Sequence, residues 1–375
     1  MQVRIGFLMP RSTDYPAMGF DMLDGLRAHL ELLGIDDLKL FTENIGFGED
    51  HALTYARAEK LLLQEDVQVL IAYSSIQNAE PLFAMAKSSG RLFVFLDAGM
   101  QLSTEDKVQG AWFISLQGMQ ACNKLGKIAG AGGRKALMAT SFFDAGYSGL
   151  LYSSRGLEEA GGSMCAHFVS KHKISEFSIE EYLQLLESSG AEAVVANFSI
   201  YLSELFLKSL KEAGGRSVSL PVYCSPFMGE EELLSKCEFP GGELQVIVPW
   251  SQRIENEAQQ LFVKTIKDKK DKTANLFHLL GWEAAQVIVQ AINKGQNSLT
   301  DFSFESPRGK VAFHPKTKTT YAPLYKGKIT SDNTGKCQMQ IDGVIVVEAQ
   351  EHEAVYSEKQ EGIYSGWKNN YFCAS

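Results

Sequence analysis

Residues Val67–Pro81 read VQVLIAYSSIQNAEP, an apolar strand running into a hydroxyl-rich turn with a helix opening behind it. The same unit recurs through the first third of the chain. Val3–Leu8 reads as a strand, and the helix after it carries Met22, Leu23, Leu26, Leu30 and Leu33 on one stripe. Leu38–Phe41 is the next strand, then come a helix over Ala52–Leu63, the strand Val67–Ala72, a helix after Pro81 and the strand Leu92–Leu96. Such alternation restricts the fold sharply. Parallel neighbours need right-handed crossovers, so helices cover both faces of a sheet and every strand-to-helix turn falls on one edge. Helix N-terminal N–H groups and Ser hydroxyls converge there, where small ligands dock in open α/β sheets. Ser74, Ser75 and Gln77 offer hydrogen bonds at this turn, with no nearby base to activate a hydroxyl. The turn is built to hold a molecule rather than to cut one.

The pattern then starts afresh. A helix over Gly118–Ala129, strand Ala136–Ala139, helix Ser148–Ala160, strand Met164–Val169 and helix Ile179–Ser188 follow in order. Strand Ala193–Ala196, helix Ser203–Ala213 and strands Pro221–Cys224 and Leu244–Val248 complete a second Rossmann-like half without sequence repetition. Two long helices come next, about Glu255–Lys267 and Leu276–Lys294, with expected buried stripes Ala258, Leu261, Phe262, Thr265 and Leu280, Ala284, Val287, Ile288, Ala291. The charge run KDKKDK at Lys267–Lys272 reads as a solvated loop between them. Ser306–Tyr325 alternates in short strand-like runs, and Gln338–Val347 reads as a hairpin turning at Asp342–Gly343. The remaining residues to Ser375 read as a tail wrapped on one lobe.

Bulk properties exclude several functions. The 375 residues exceed what one core usually serves, so two lobes are expected. A net charge of -9 argues against a nucleic-acid partner. No apolar run approaches the roughly 20 residues that span a bilayer. The first strand begins almost at Met1, so the expectation is either a cytoplasmic protein or one whose export signal has been removed. The cysteines (Cys122, Cys165, Cys224, Cys237, Cys337, Cys373) show no CxxC pair and read as small buried hydrophobes. The alternative is up to three disulfides, with Cys337–Cys373 the first pair to consider. His167 and His172 make a poor metal arrangement, and no metal or cofactor is expected. There is no GxSxG, GxxxxGK[ST] or HExxH, and no GxGxxG after the first strand. Gly130–Gly133 reads as a helix stop, and the sequon Asn197–Ser199 as accidental.

In order along the chain, several segments resemble the type I periplasmic ligand-binding superfamily, in the branch that binds branched-chain amino acids for ABC importers. GFDMLDGLRAHLELLG is similar to its "G…G…A…N" first helix, VQVLIAYSSIQNAEPL to "V…I.G..SS", and VFLDAGM to "…SPAAT". FFDAGYSGL resembles "D..YG.G", NLFHLLGWEA resembles "P..FA..GYDA", and SPRGKVAF resembles "G..G.V.FD". The resemblance covers roughly residues 3–330. It implies an α/β fold of two Rossmann-like lobes with parallel sheets, joined by a three-strand hinge. Lobe 1 is expected over 1–117 plus 250–325 and lobe 2 over 118–249 plus 326–375, with crossings near Ile114–Gln117, Val248–Ser251 and Ala322–Lys326.

The resemblance also implies a site between the lobes. Ser74 and Ser75 fall at the hydroxyl turn that binds a ligand carboxylate. Asp97, Ala98 and Gly99 fall at a second turn of backbone donors, where Met100 stands in place of the family's Thr. Asp14 and Tyr15 occupy the first turn, Tyr147 and Tyr201 match the lobe 2 aromatics, and Phe227 and Glu230 lie where an acid pairs with a ligand ammonium. The implied function is extracytoplasmic capture of a small polar or amino-acid-like metabolite for an ABC permease, by a monomer or weak dimer. Aromatic walls suggest an apolar or aromatic moiety beside a polar head. Two other readings stay open. One is a cytoplasmic ligand sensor of the same fold that regulates a partner protein; the other is a hydrolase or transferase using Asp97 and Asp14.

Overall fold

The computed structural model describes residues 3–35, 37–146, 148–171, 173–294 and 299–361. Chain order opens with β1 (Val3–Met9), α1 (Met18–Leu32), β2 (Leu38–Asn44), α2 (His51–Leu63), β3 (Val69–Tyr73), α3 (Ile76–Ala79), α4 (Phe83–Ser89), β4 (Leu92–Asp97) and β5 (Ala111–Ser115). These strands form one fully parallel sheet in the order β2-β1-β3-β4-β5. Alternation sorts the side chains by face. Leu92, Val94 and Leu96 face the cluster built on α1 and α11 (Met18–Leu32 and Leu276–Lys294), whereas Phe93 and Phe95 join Ala58, Leu61 and Phe83 of α2 and α4. The sequence reading missed β5, a five-residue apolar run without a helix signal before it.

The second body contains α5 (Gly118–Gly130), β6 (Lys135–Thr140), α6 (Ser148–Glu159), β7 (Ser163–Val169), α7 (Glu180–Ser188), β8 (Ala193–Asn197), α8 (Ile200–Ala213), β9 (Val222–Cys224), α9 (Glu231–Leu234) and β10 (Leu244–Val248). After it come α10 (Glu257–Lys270), α11 (Leu276–Lys294), β11 (Ser303–Ser306), β12 (Gly309–Phe313), β13 (Thr320–Tyr321), β14 (Leu324–Ser331), β15 (Cys337–Ile345) and α12 (Ala349–Tyr356). The seven-stranded sheet runs β15-β14-β10-β9-β8-β6-β7, and β11-β12-β13 make a small antiparallel sheet. Parallel pairing holds from β7 to β10, but β14 and β15 are antiparallel, so this sheet is mixed rather than parallel as expected. The chain leaves the five-stranded sheet after Ser115 and the seven-stranded sheet after Val248, and passes from the small sheet back into the seven-stranded one after Tyr321. Ser115 N–H donates to Thr320 Oγ1 (2.8 Å) and Ala322 N–H to Gln117 Oε1 (2.8 Å), lashing the first and third crossings together.

Three local readings need correction. Residues 338–347 are not a hairpin: β15 runs straight through, and Asp342 is the extra residue where Lys326 pairs Gly343 but Gly327 pairs Ile341. The hairpin turn lies at 332–336, where the Asp332 carboxylate accepts N–H bonds from Thr334 (2.7 Å) and Lys336 (2.9 Å). The KDKKDK run is mostly helical. Its Lys269, Lys270 and Lys272 pair with Glu31, Asp24 and Asp21 on α1. The buried stripe of α10 is Gln259, Phe262, Thr265 and Ile266, and Leu261 is exposed.

Candidate functional site

The strand order places β1 beside both β2 and β3, and β6 beside both β7 and β8. Each arrangement reverses the winding and opens a crevice at the carboxyl ends of those strands. The turns holding Asp14–Tyr15 and Ser74–Ser75 flank the first crevice. Those after β6 and β8 flank the second. There the buried Asp144 carboxylate accepts the Ser141 hydroxyl (2.6 Å), the Ser199 N–H (3.0 Å) and the Ser199 hydroxyl. Burial pushes its carboxyl up to about 6, against the pull of those hydrogen bonds. Sequence reasoning passed over Asp144, although an acid just past the end of an apolar strand was the visible signal.

The two bodies meet over these turns. Tyr15 donates its hydroxyl to Glu230 Oε2 at 2.6 Å, joining the turn after β1 to the turn before α9. The Tyr15 ring stands edge-on to Phe277 at 5.2 Å, and Phe277 in turn meets Tyr73 at 6.5 Å. Burial, with Glu230 reinforcing it, holds the Tyr15 phenol well above its ordinary range, so it remains a donor. Alongside lies a chamber of about 720 Å³. Its walls include Tyr15, Gly229–Glu232, Val248–Trp250, Gln252, Arg253, Thr273–Phe277 and Lys336–Met339, so both bodies and the second crossing contribute. Glu231 is fixed by the Ser251 hydroxyl (2.6 Å) and Gln252 N–H (2.9 Å), and Gln252 Nε2 donates to Ala274 O (3.0 Å). Burial raises the Glu231 carboxyl, opposed by those bonds and by Arg253. Glu230, Glu232 and Asp332 add acids, Arg253 and Lys336 bases, and Tyr15, Trp250 and Phe277 aromatic surface.

Of the residues singled out from sequence, Tyr15 and Glu230 line this chamber. Ser74, Ser75 and Asp97 are engaged within their own turns. Ser74 Oγ donates to Ser75 O (3.1 Å), and Ser75 stands at the cap position of α3 without a side-chain cap bond. Asp97 ends β4 on the Phe93–Phe95 face. Burial pushes its carboxyl up to about 7, against N–H bonds from Gly99 and Ala98 and the charge of Lys107. Asp14 instead feels Lys236, so the two carboxyls offered as a hydrolytic pair have separate surroundings. Ala98 O and Gly99 O accept Gly118 N–H (3.0 Å) and Met119 N–H (2.8 Å) from the first turn of α5. Phe227 is buried in the core, Tyr201 lies half-buried in the first turn of α8, and Tyr147 falls outside the described residues.

Met100 explains why this region is shut. A Cβ at Gly118 would lie 2.2 Å from its sulfur, and one at Gly149 would lie 2.4 Å from its methyl. A long thioether thus occupies a slot between two glycines, where the family motif carries a short Thr. Phe277, Gln252, Arg253 and Asn275 were not singled out beforehand. Asn275 and Phe277 lie in the NLFHLL segment already matched to the family, and Gln252 and Arg253 gave no signal. Asp21, Asp24 and His278 also converge, but Lys272 Nζ sits 2.8 and 2.9 Å from the two carboxylates and supplies the cation.

Comparison with known proteins settles the ancestry. The sequence model described as "Periplasmic binding protein" matches residues 2–335. The chain belongs to that family. No curated protein matches it. Its fold is that of an ABC transporter substrate-binding protein from Sphaerobacter thermophilus (19% identity, TM-score 0.80, covering 92% of this chain and 97% of that one). It is also similar in fold to a solute-binding protein of an ABC transporter from Rhodopseudomonas palustris BisB5, solved with 3,4-dihydroxybenzoic acid (14%, TM-score 0.75, 92% and 97%). A branched-chain amino acid ABC transporter periplasmic ligand-binding protein from Burkholderia xenovorans matches at 14%, TM-score 0.75, over 93% and 97%. This periplasmic binding protein is therefore a two-lobed solute-binding protein. Among the described residues no helix is long and apolar enough to cross a membrane. The five described cysteines are free. Cys337 N–H donates to Cys237 O (2.9 Å), and Cys373, its expected partner, lies outside the described residues.

Proposed function

We propose that this binding protein works outside the cytoplasmic membrane, where it delivers a small metabolite to an ABC permease. In this reading the lobes are 1–117 plus 250–325 and 118–249 plus 326–375, and the solute lies between them in the chamber beside Tyr15 and Glu230. The supporting observation is the chamber itself: about 720 Å³, walled by both bodies, with the Tyr15–Glu230 bond closing one side. The aromatic and carboxylate lining suits an amino acid or related compound with an apolar or aromatic moiety beside a polar head. Some structures of similar fold were solved with 3,4-dihydroxybenzoic acid or 4-hydroxybenzoate, which makes hydroxylated aromatic acids natural first candidates. Ser74, Ser75, Asp97, Ala98, Gly99, Tyr147, Tyr201 and Phe227 complete the proposed binding set, and Asp14 borders the same turn as Tyr15. Thermal-shift screening against amino acids, short amides and hydroxylated benzoates tests the proposal. One compound should raise the melting temperature, and a broad panel without a hit would overturn it.

A further inference from the structure

The chain beyond residue 335 lies past the stretch matched to the family. After β15 it forms α12 and then an extended run, and both engage the two bodies at once. On the side of the seven-stranded sheet, Glu351 accepts Lys124 Nζ of α5 (2.7 Å), and Glu358 takes a two-pronged bond from Arg155 of α6 (2.5 and 2.8 Å). Tyr152 adds its hydroxyl to Glu358 at 2.7 Å. On the side of the five-stranded sheet, buried Tyr356 donates to Gly99 O (3.0 Å) in the turn after β4. Lys359 pairs with Asp106 (2.7 Å), and Gln360 N–H donates to Ser103 O (2.8 Å).

The spacing matters more than the number of bonds. Glu358 holds α6 while Lys359 and Gln360 hold the loop after β4, and three consecutive residues reach at most about 10 Å. Rotation of one body away from the other must therefore break one set or the other. We propose that residues 349–360 are a strap that biases the two bodies toward the closed arrangement, whatever occupies the chamber. Its consequence is thermodynamic: a solute that needs the closed form binds more weakly in proportion as that form is depopulated.

The test needs no solute, so a failed solute screen and a failed strap are separate results. Small-angle scattering on the full chain should give a wild-type curve that fits the closed arrangement. A Glu358→Gln, Lys359→Gln double variant should shift to a larger radius of gyration. In otherwise unaltered protein, Arg155→Glu or Glu358→Arg alone should enlarge the radius, and the two together, which exchange the charges, should keep the wild-type value and so separate strap loss from misfolding. A second readout uses the unaltered protein. The Gln360 amide should exchange with solvent at least about a hundredfold more slowly than a free peptide amide. An unprotected Gln360 amide, or superimposable wild-type and double-variant curves, would overturn the strap.

Discussion

Arg308 and Glu283 are fully buried and joined by two bonds of 2.7 and 2.8 Å, while Arg308 NH1 donates to Ser115 O (2.9 Å) at the first crossing. A buried charge left without its partner is costly, whereas replacing both by apolar groups often is not. Glu283→Ala is therefore expected to lower stability by about 3–5 kcal/mol, and Glu283→Leu with Arg308→Leu by clearly less, in urea titrations. Tyr15 makes a separate prediction. Its hydroxyl bonds a carboxylate across the cleft, so Tyr15→Phe should weaken binding of whichever compound raises the melting temperature, by about 1.5–3 kcal/mol in calorimetry. Unchanged affinity would remove Tyr15 from the site. At this scale the sequence was only partly legible. Tyr15 and Glu230 could be found through the family resemblance, but the role of Met100 could not: it depends on two glycines, Gly118 and Gly149, that only folding brings opposite it.

Each body is built on a helix pair in backbone contact. A Cβ on Gly281 of α11 would lie 1.9 Å from Met22 O of α1, and one on Gly156 of α6 would lie 2.0 Å from Asn123 O of α5. Neither neighbour is a flexible side-chain end, so the helices themselves would have to move. Gly281→Ala and Gly156→Ala are each expected to cost roughly 1–3 kcal/mol or more, read as a lower denaturation midpoint. Gly215→Ala, with nothing within 4 Å of the added carbon, should change the midpoint little. Most helices and strands were legible in the sequence because a 3.6- or 2-residue period is a local property. The 338–347 strand was misread because Asp342–Gly343 has turn chemistry, yet its partner strand continues past and absorbs the extra residue as a bulge. Likewise the Lys267–Lys270 run is helical because acids on α1 face it, which no local window reveals.

For the molecule as a whole, buried titratable groups set how stability responds to acid. Burial pushes the imidazoles of His29 and His278 down to about 4 and that of His352 to about 3. It pushes Asp144 and Asp97 up to about 6 and about 7. Between pH 6.5 and 4 the three imidazoles take up protons only on unfolding, so their contribution to stability falls as pH falls. The two carboxyls act oppositely, since they are protonated in the folded state and ionised in the unfolded chain across most of that window. Glu231, also raised by burial, makes the sets three against three, and carboxylates that cations hold down, Glu31 by Lys269 and Glu358 by Arg155, tip the sum to a net loss on acidification. The melting temperature should therefore fall from pH 6.5 to 4.5, and His352→Gln, which removes one of the buried imidazoles, should flatten the slope. A wild-type profile that rises on acidification would contradict this balance.

Read alone, the amino-acid order determined the fold class and most of its elements, because alternating apolar periods and turn residues act over a few positions and leave few topologies open. It also carried the family resemblance, spread over weak motifs in the right order. The tertiary structure decided which face each turn presents, that Met100 fills the slot where a hydroxyl was expected, and that the open space lies beside Tyr15, Glu230 and the second crossing. It alone decided that α12 spans both bodies. Those outcomes rest on contacts between residues far apart in the chain, such as Tyr356 with Gly99 and Glu358 with Arg155, whose partners no local pattern specifies.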